Sequence, residues 1–210
     1  MTKLSTLVNA FTADEADNQL RQQLNSKNLV DFIAARLPGV NQALEDAAAH
    51  HFKKPGKMLR AKMALGASHL LNVDKAAALH WAIAIEVLHN ASLIHDDICD
   101  GDTHRRQNNT VWSATSERTA ICFGDWLVAR SFEAAVKSSL STSRGKLDAV
   151  DKLAQTMINL CEGQSSEFDS LPILSWETYD AVVLAKTASL ILAAGEGPLI
   201  LGGEFAYQKD

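Results

Sequence analysis

Between residues 96 and 106 the chain gathers side chains suited to a multiply charged anion. Asp96, Asp97, Asp100 and Asp102 fall within seven positions at the end of a long apolar run, and Arg105-Arg106 follows at once. Asp96 and Asp100 are four apart, so a helix presents them on one face. Like charges at that spacing repel by roughly a few tenths of a kcal/mol, and a helix C-terminus also disfavours anions. Local energetics oppose the cluster, and a hard divalent cation with oxygen ligands is the natural compensation. Taken alone, Asp96-Asp97 reads more readily as a solvated acidic helix end. The apolar stretch from Trp81 to Ile94 and the paired arginines shift that balance. Carboxylates, a divalent cation and two guanidinium groups in one place suit a diphosphate bridged by Mg²⁺.

Other residues extend the pattern. His89 lies within ~20° of the face that carries Asp96 and Asp100, ~10 and ~16 Å from them along the helix axis. Such a wall could hold two anionic groups at different depths, although a lone buried histidine is more often a satisfied core residue. Lys57 and Arg60 follow Gly56 at the start of a helical stretch, where a helix N-terminus with two cations makes an anion site. A surface-charged first turn explains them equally well. Lys186, beside Thr187 in an apolar run, must snorkel or meet an anion. Glu162, Gln164 and Glu167 offer further polar groups, with a solvated stripe as the default.

The elements that position these residues are helical. Apolar residues recur at three-and-four spacing, predicting helices over 28–36, 40–51, 57–71, 75–99, 116–139, 146–169 and 175–195. Asn72-Val73-Asp74 offers an N-cap for the helix that starts at Lys75, and Ser175 can cap the last one. No segment of real length alternates like a strand. The expectation is an all-α bundle in a single domain, residues 1–210.

Composition narrows the function classes. Twenty Lys+Arg against 25 Asp+Glu give a net charge of −5, which leaves no basic surface for nucleic acid. Cys99, Cys122 and Cys161 have neither the number nor the spacing of a disulfide framework or zinc knuckle, and point to a reducing, cytoplasmic setting. The N-terminal residues lack the apolar run of a signal peptide. The stretch 181–203 is interrupted by Lys186, Glu196 and Pro198, so no transmembrane segment is expected.

In order along the chain stand Gly56-Lys57-x-x-Arg60, His89, Asp96-Asp97-x-x-Asp100, Arg105-Arg106, Gly124-Asp125-Trp126-Leu127, Glu162-Gly163-Gln164 and Lys186-Thr187-Ala188. This set resembles the landmarks of the trans-polyprenyl diphosphate synthases, from about residue 50 to residue 203. The acidic motif alone is shared with terpene cyclases; the ordered set is far more specific. The resemblance implies an isoprenoid-synthase helical bundle around a central cavity, and a homodimer associating through helices such as 116–139. It also implies a transferase joining isopentenyl diphosphate to an allylic prenyl diphosphate. Asp96, Asp97 and Asp100 would hold Mg²⁺ on the allylic diphosphate, supported by Arg105. Lys57, Arg60, His89 and Arg106 would hold isopentenyl diphosphate. Lys186 and Thr187 would face the allylic diphosphate and developing carbocation, and Gln164 would line the site. Ala91 and Ser92, small where bulky residues close the family's cavity, imply a longer product.

The sequence also departs from the family. Gln107-Asn108-Asn109-Thr110-Val111-Trp112 stands where the family usually has a Gly, then a Pro before the Thr, and often a His at the last place. Asn108-Asn109 is read as the pair that turns the chain. Cys99 within the acidic motif is unusual. No second D-D-x-x-D follows Asp100 in these 210 residues; Glu167 and Asp169 come nearest, in another place. Expectation therefore includes a piece of a complete synthase lacking the last helices, a natural short form, or a degenerate homologue. A non-catalytic partner subunit that binds prenyl diphosphate is the alternative function. A terpene cyclase is the third, opposed by Lys57, Arg60 and His89.

Overall fold

The computed structural model describes residues 31–32, 41–53, 56–142, 147–168, 175–176, 180 and 183–203. Its helices are α1 (Gln42–His51), α2 (Leu59–Leu70), α3 (Lys75–Cys99), the single turn α4 (Val111–Ala114), α5 (Glu117–Leu140), α6 (Asp148–Phe168) and α7 (Ser189–Gly202). A π-helical turn, Leu184–Ala188, leads into α7. Most of the expected helix 28–36 lies outside the described residues, as does most of the segment between Ser175 and Val183.

Helix α3 is the axis of the fold. From Trp81 to Leu88 every residue is buried, which marks a helix covered on all sides. It packs against α2, α5 and α7, and its most extensive neighbour is α5. Small residues set that approach: Ala77, Ala84 and Ala91 on α3 and Ala120, Ala134 and Ala135 on α5 are completely buried. The Ser138 hydroxyl of α5 donates to the Ala77 carbonyl at 2.7 Å. Trp81 fills the centre, and its indole N–H reaches the Ala193 carbonyl of α7 at 3.3 Å. Asp74 caps α3 as its sequence position predicts, accepting from the Ala76 and Ala77 amides. Asn41 and Ser116 do the same for α1 and α5.

Three details differ from the sequence expectation. Helix α2 starts at Leu59, not 57, because Met58 adopts a left-handed backbone (φ 52°) and breaks the turn. Lys57 therefore precedes the helix. A small antiparallel hairpin, β1 (His104–Arg105) and β2 (Asn108–Asn109), pairs His104 with Asn109 and Arg105 with Asn108. Its turn is Arg106-Gln107, both at positive φ (50° and 65°), while Asn108-Asn109 is strand. Finally, Pro198 lies inside α7 and does not end it, so Leu184–Gly202 is long and apolar enough to cross a membrane by length and composition, as is α3. Two-thirds of the α3 window is buried in the fold (67%), and the second helix is tied to the bundle by Trp81 and by an ion pair from Lys152 of α6 to Glu196.

Candidate active site

The functional side chains meet at the C-terminal half of α3, on two neighbouring faces. One carries His89, Asp96 and Asp100; the other carries Asn90, Leu93 and Asp97. Local chemistry ends the helix at this point. Asp100 is the C-cap, Gly101 follows in the left-handed region (φ 68°), and the Asp102 and Gly101 amides donate back to the Asp97 and Ile98 carbonyls at 2.9 and 3.2 Å. This six-to-one and five-to-two pattern is a Schellman motif. It closes the acidic cluster by turning the chain into the hairpin.

On the first face, Asp96 and Asp100 stand with Lys186 from the π turn and Glu167 from α6. Burial raises the Asp96 carboxyl above the usual range; the Lys186 ammonium opposes this and Asp100 adds to it. Lys186 forms an ion pair with Glu167. Burial pulls the ammonium down, but that hydrogen bond and the fields of Asp96, Glu167 and Asp100 outweigh it and hold Lys186 above its ordinary value. The apolar run thus delivers its lysine to an anion. A β-carbon on Gly163 would lie 2.7 Å from the Lys186 amide nitrogen, so glycine in the Glu162-Gly163-Gln164 stretch lets the π turn touch α6. Both amide atoms of the Gln164 side chain are buried with no partner among the described residues. Thr187 is exposed in the π turn.

Deeper along the same face, the Arg60 guanidinium donates to His89 Nε2 at 3.0 Å. An arginine cannot accept, so His89 Nε2 bears the lone pair and the ring is neutral. Burial, then the charges of Arg60, Arg106 and Arg105, push the histidine down to about 3. Burial also lowers Arg60, with Glu86 countering it. The Glu86 carboxylate is itself buried, accepts from the Ala61 amide and is raised by desolvation. Arg106 lies flat against Gly56, where a β-carbon would come within 2.6 Å of its guanidinium. Lys57 is exposed at the edge of this group.

The second face opens on a cavity of about 330 Å³ between the end of α1, α3 and the hairpin, lined in part by His51, Gly56, Asn90, Asp97, Arg105 and Arg106. Asp97 is buried, and Arg105 Nε donates to its Oδ1 at 2.6 Å. Desolvation raises this carboxyl and Arg105 offsets the rise. His51 Nε2 is 2.8 Å from Asn90 Oδ1, while the Asn90 amide nitrogen donates to the Glu86 carbonyl. Burial lowers His51 to about 4.

The structure thus brings Asp96, Asp100 and Lys186 together, and Arg60, His89 and Arg106. It assigns Asp97 and Arg105 to each other. Ala91 is completely buried in the core, and the Ser92 hydroxyl folds back on the His89 carbonyl. Sequence reasoning missed the part of Glu167; its signal was the position one turn beyond Gln164 on an amphipathic helix. His51 and Asn90 gave no signal, because only the fold places them beside Arg106. Gly124-Asp125-Trp126-Leu127 serves packing: Leu127 is core, Trp126 stacks on Phe123, and Asp125 is 3.4 Å from His95.

The polyprenyl synthetase profile matches residues 41–209. The chain belongs to the polyprenyl synthetase family. This family member is 34% identical over 186 residues to a geranylgeranyl pyrophosphate synthase from Geoglobus acetivorans, covering 88% of this chain and 57% of that one. It is also 34% identical to the geranylgeranyl diphosphate synthase of Saccharolobus solfataricus, over 86% of this chain and 54% of the relative. Solved structures agree. The Geoglobus acetivorans synthetase superposes with a TM-score of 0.76 at 35% identity, over 86% of this chain and 60% of that one. That of Pyrococcus horikoshii gives 0.76 at 28%, over 90% and 59%. The all-α isoprenoid-synthase fold is therefore that of this family member, which spans little more than half the length of these curated relatives.

Among the described residues no three His, Cys, Asp or Glu side chains form a ready metal cage. Mg²⁺ is commonly held through one or two carboxylates plus substrate phosphates and water. Asp96 and Asp100 supply hard oxygens, and the desolvation of Asp96 makes a cation there favourable.

Proposed function

We propose that the chain takes part in prenyl elongation, joining isopentenyl diphosphate to an allylic prenyl diphosphate in isoprenoid biosynthesis. One observation carries this reading: a single face of α3 holds Arg60-bound His89 at depth and the Asp96–Asp100 pair at its rim, opposite Lys186. Two diphosphates need two such places, and a purely structural helix needs neither.

Asp96 and Asp100 would hold Mg²⁺, which supplies charge neutralisation and Lewis acidity to a departing diphosphate. Lys186 adds a fixed cation beside the leaving group, and its partner Glu167 keeps it aimed there. Thr187 and the unpartnered Gln164 amide offer the polar contacts that orient the allylic substrate. Arg60 and Arg106 bind the second diphosphate, with Lys57 at its entrance. His89 is neutral, and its Nε2 lone pair accepts from Arg60 and so holds that guanidinium in place for the second diphosphate. Arg105 holds Asp97 and the base of the hairpin, adding positive charge near the allylic side. As the allylic C–O bond breaks, diphosphate leaves with the electron pair. The alkene of isopentenyl diphosphate then attacks the allylic carbon, and loss of a proton restores a double bond in a chain five carbons longer. Exclusion of water protects the cationic carbon.

The reading includes one domain, a homodimer, a cytoplasmic setting and a longer-chain product. Three exposed free thiols, Cys99, Cys122 and Cys161, favour a reducing compartment. The small residue Ser92, one turn below Asp96, favours the longer product; Ala91 is packed in the core and adds nothing to that reading. The test is elongation by the 210-residue chain with Mg²⁺, labelled isopentenyl diphosphate and a panel of allylic diphosphates. Expected are longer prenyl products that vanish in Asp96→Ala and shorten in Ser92→Phe. A folded chain that binds diphosphate with Mg²⁺ and makes no product moves the reading to a non-catalytic partner subunit, an outcome favoured by the engagement of Asp97 with Arg105.

A further inference from the structure

The acidic helix end and the Arg105-Arg106 hairpin are separate pieces of chain, yet the proposed chemistry needs them in fixed register. Beside the Asp97–Arg105 ion pair and the Schellman turn, Trp112 ties their main chains together. Its indole N–H is shared between two main-chain carbonyls, that of Asp97 in the last turn of α3 at 3.0 Å and that of Asp102 at the start of the hairpin at 2.8 Å. The Asp97 carbonyl also receives the Asp102 amide, and the Asp102 carbonyl also receives the Thr110 hydroxyl at 2.9 Å. The Thr110 amide closes the hairpin onto the Thr103 carbonyl at 3.0 Å. Helix-terminal carbonyls lack intrahelical donors, so a side-chain N–H that satisfies one of them and a loop carbonyl together fixes the exit angle of the chain.

We propose that Trp112 is a positioning residue, holding the Asp96–Asp100 helix end and the Arg105-Arg106 hairpin at one separation through its shared N–H. The ring is half-buried against the core, so the anchor is rigid. The strained turn at Arg106 and Gln107, both at positive φ, makes such an anchor necessary, because these side chains do not favour that backbone. Neither residue bonded by Trp112 contributes its side chain to the contact, so the effect on Asp97 and Arg105 is through the backbone. The consequence for ligand binding rests on the prenyl-elongation reading; the consequence for backbone order does not.

The experiment compares Trp112→Phe, which keeps the ring and loses the donor, with Trp112→His, which restores a ring N–H. Amide hydrogen exchange read residue by residue reports the anchor. Expected in Trp112→Phe is exchange about tenfold faster at the Asp102 and Thr110 amides, with Leu88 in the core unchanged and Trp112→His close to the parent. Calorimetric titration with Mg²⁺ and inorganic diphosphate should show affinity about tenfold weaker in Trp112→Phe and largely recovered in Trp112→His. Unchanged local exchange in Trp112→Phe overturns the inference, as does a uniform rise that includes Leu88, which is loss of global stability. Faster local exchange in Trp112→Phe, together with a parent chain that binds no diphosphate, upholds the anchor and sinks the functional reading instead.

Discussion

Gln107 stands at φ 65° in a two-residue hairpin turn, where both central residues take the left-handed backbone. A β-carbon there costs about 1 kcal/mol that glycine avoids. Gln107→Gly should raise stability by roughly that amount in urea denaturation. A lower midpoint would show that the turn lies elsewhere. The buried histidines make a second prediction. His51 and His89 titrate in the folded chain at about 4 and about 3, against 6.5 for the free side chain. Between 6.5 and those values the unfolded chain binds more protons than the folded one, so stability falls as pH drops through that window. Above pH 6.5 both states hold neutral rings, and these two groups add no pH dependence. Urea midpoints measured from pH 7 to 4 should fall less steeply in His51→Gln/His89→Gln than in the parent. Equal slopes would mean that these rings are solvated.

Elements carry the site through their close approaches. The π turn Leu184–Ala188 aims Lys186 at Glu167 only because Gly163 on α6 leaves room for its backbone. In Gly163→Ala the new methyl meets main-chain atoms, which cannot rotate away as a side chain can. The π turn must lift from α6, at a cost of about 1–3 kcal/mol. Mg²⁺-dependent diphosphate binding, followed by calorimetry, should weaken with it. Gly195→Ala on α7 is the control, since its added methyl meets nothing within 4 Å. That change should be neutral or favour the helix by up to about 1 kcal/mol. Weakened binding in both variants would place the effect in α7 and not at the Gly163 contact. Helical period alone predicts that α6 and the following helix exist, but a π turn adds a residue to one turn and is invisible to a 3.6-residue pattern.

At the scale of the whole molecule, α5 combines a buried face with an outer one. Phe123, Leu127 and Ala134 are core, whereas Ile121, Val136 and Leu140 remain exposed by 41%, 37% and 79%. Large apolar side chains on the outside of a central helix suit a second copy of the chain. Sedimentation should give a dimer that Ile121→Glu/Val136→Glu converts to a monomer with unchanged helicity. A monomeric parent would remove α5 as the dimer face. Much of this architecture was legible beforehand. Helices α1, α2, α3, α5 and α6 follow from apolar spacing and caps such as Asp74, because period and capping are local properties. The single turn α4 carries too short a pattern to be read. The family followed from ordered motifs, which are also strictly sequential. Pairings were not legible. That Arg105 binds Asp97, that Lys186 finds Glu167 and that His89 accepts from Arg60 depend on contacts between distant elements. Which residues occupy the Arg106-Gln107 turn was decided by strand pairing, against the preference of Asn108-Asn109 for turns. By itself the sequence determined an all-α chain with an acidic helix end, paired arginines and a family, since each is written in neighbouring residues. Only the tertiary structure decided which charges meet, because burial and partner choice are set by packing around α3.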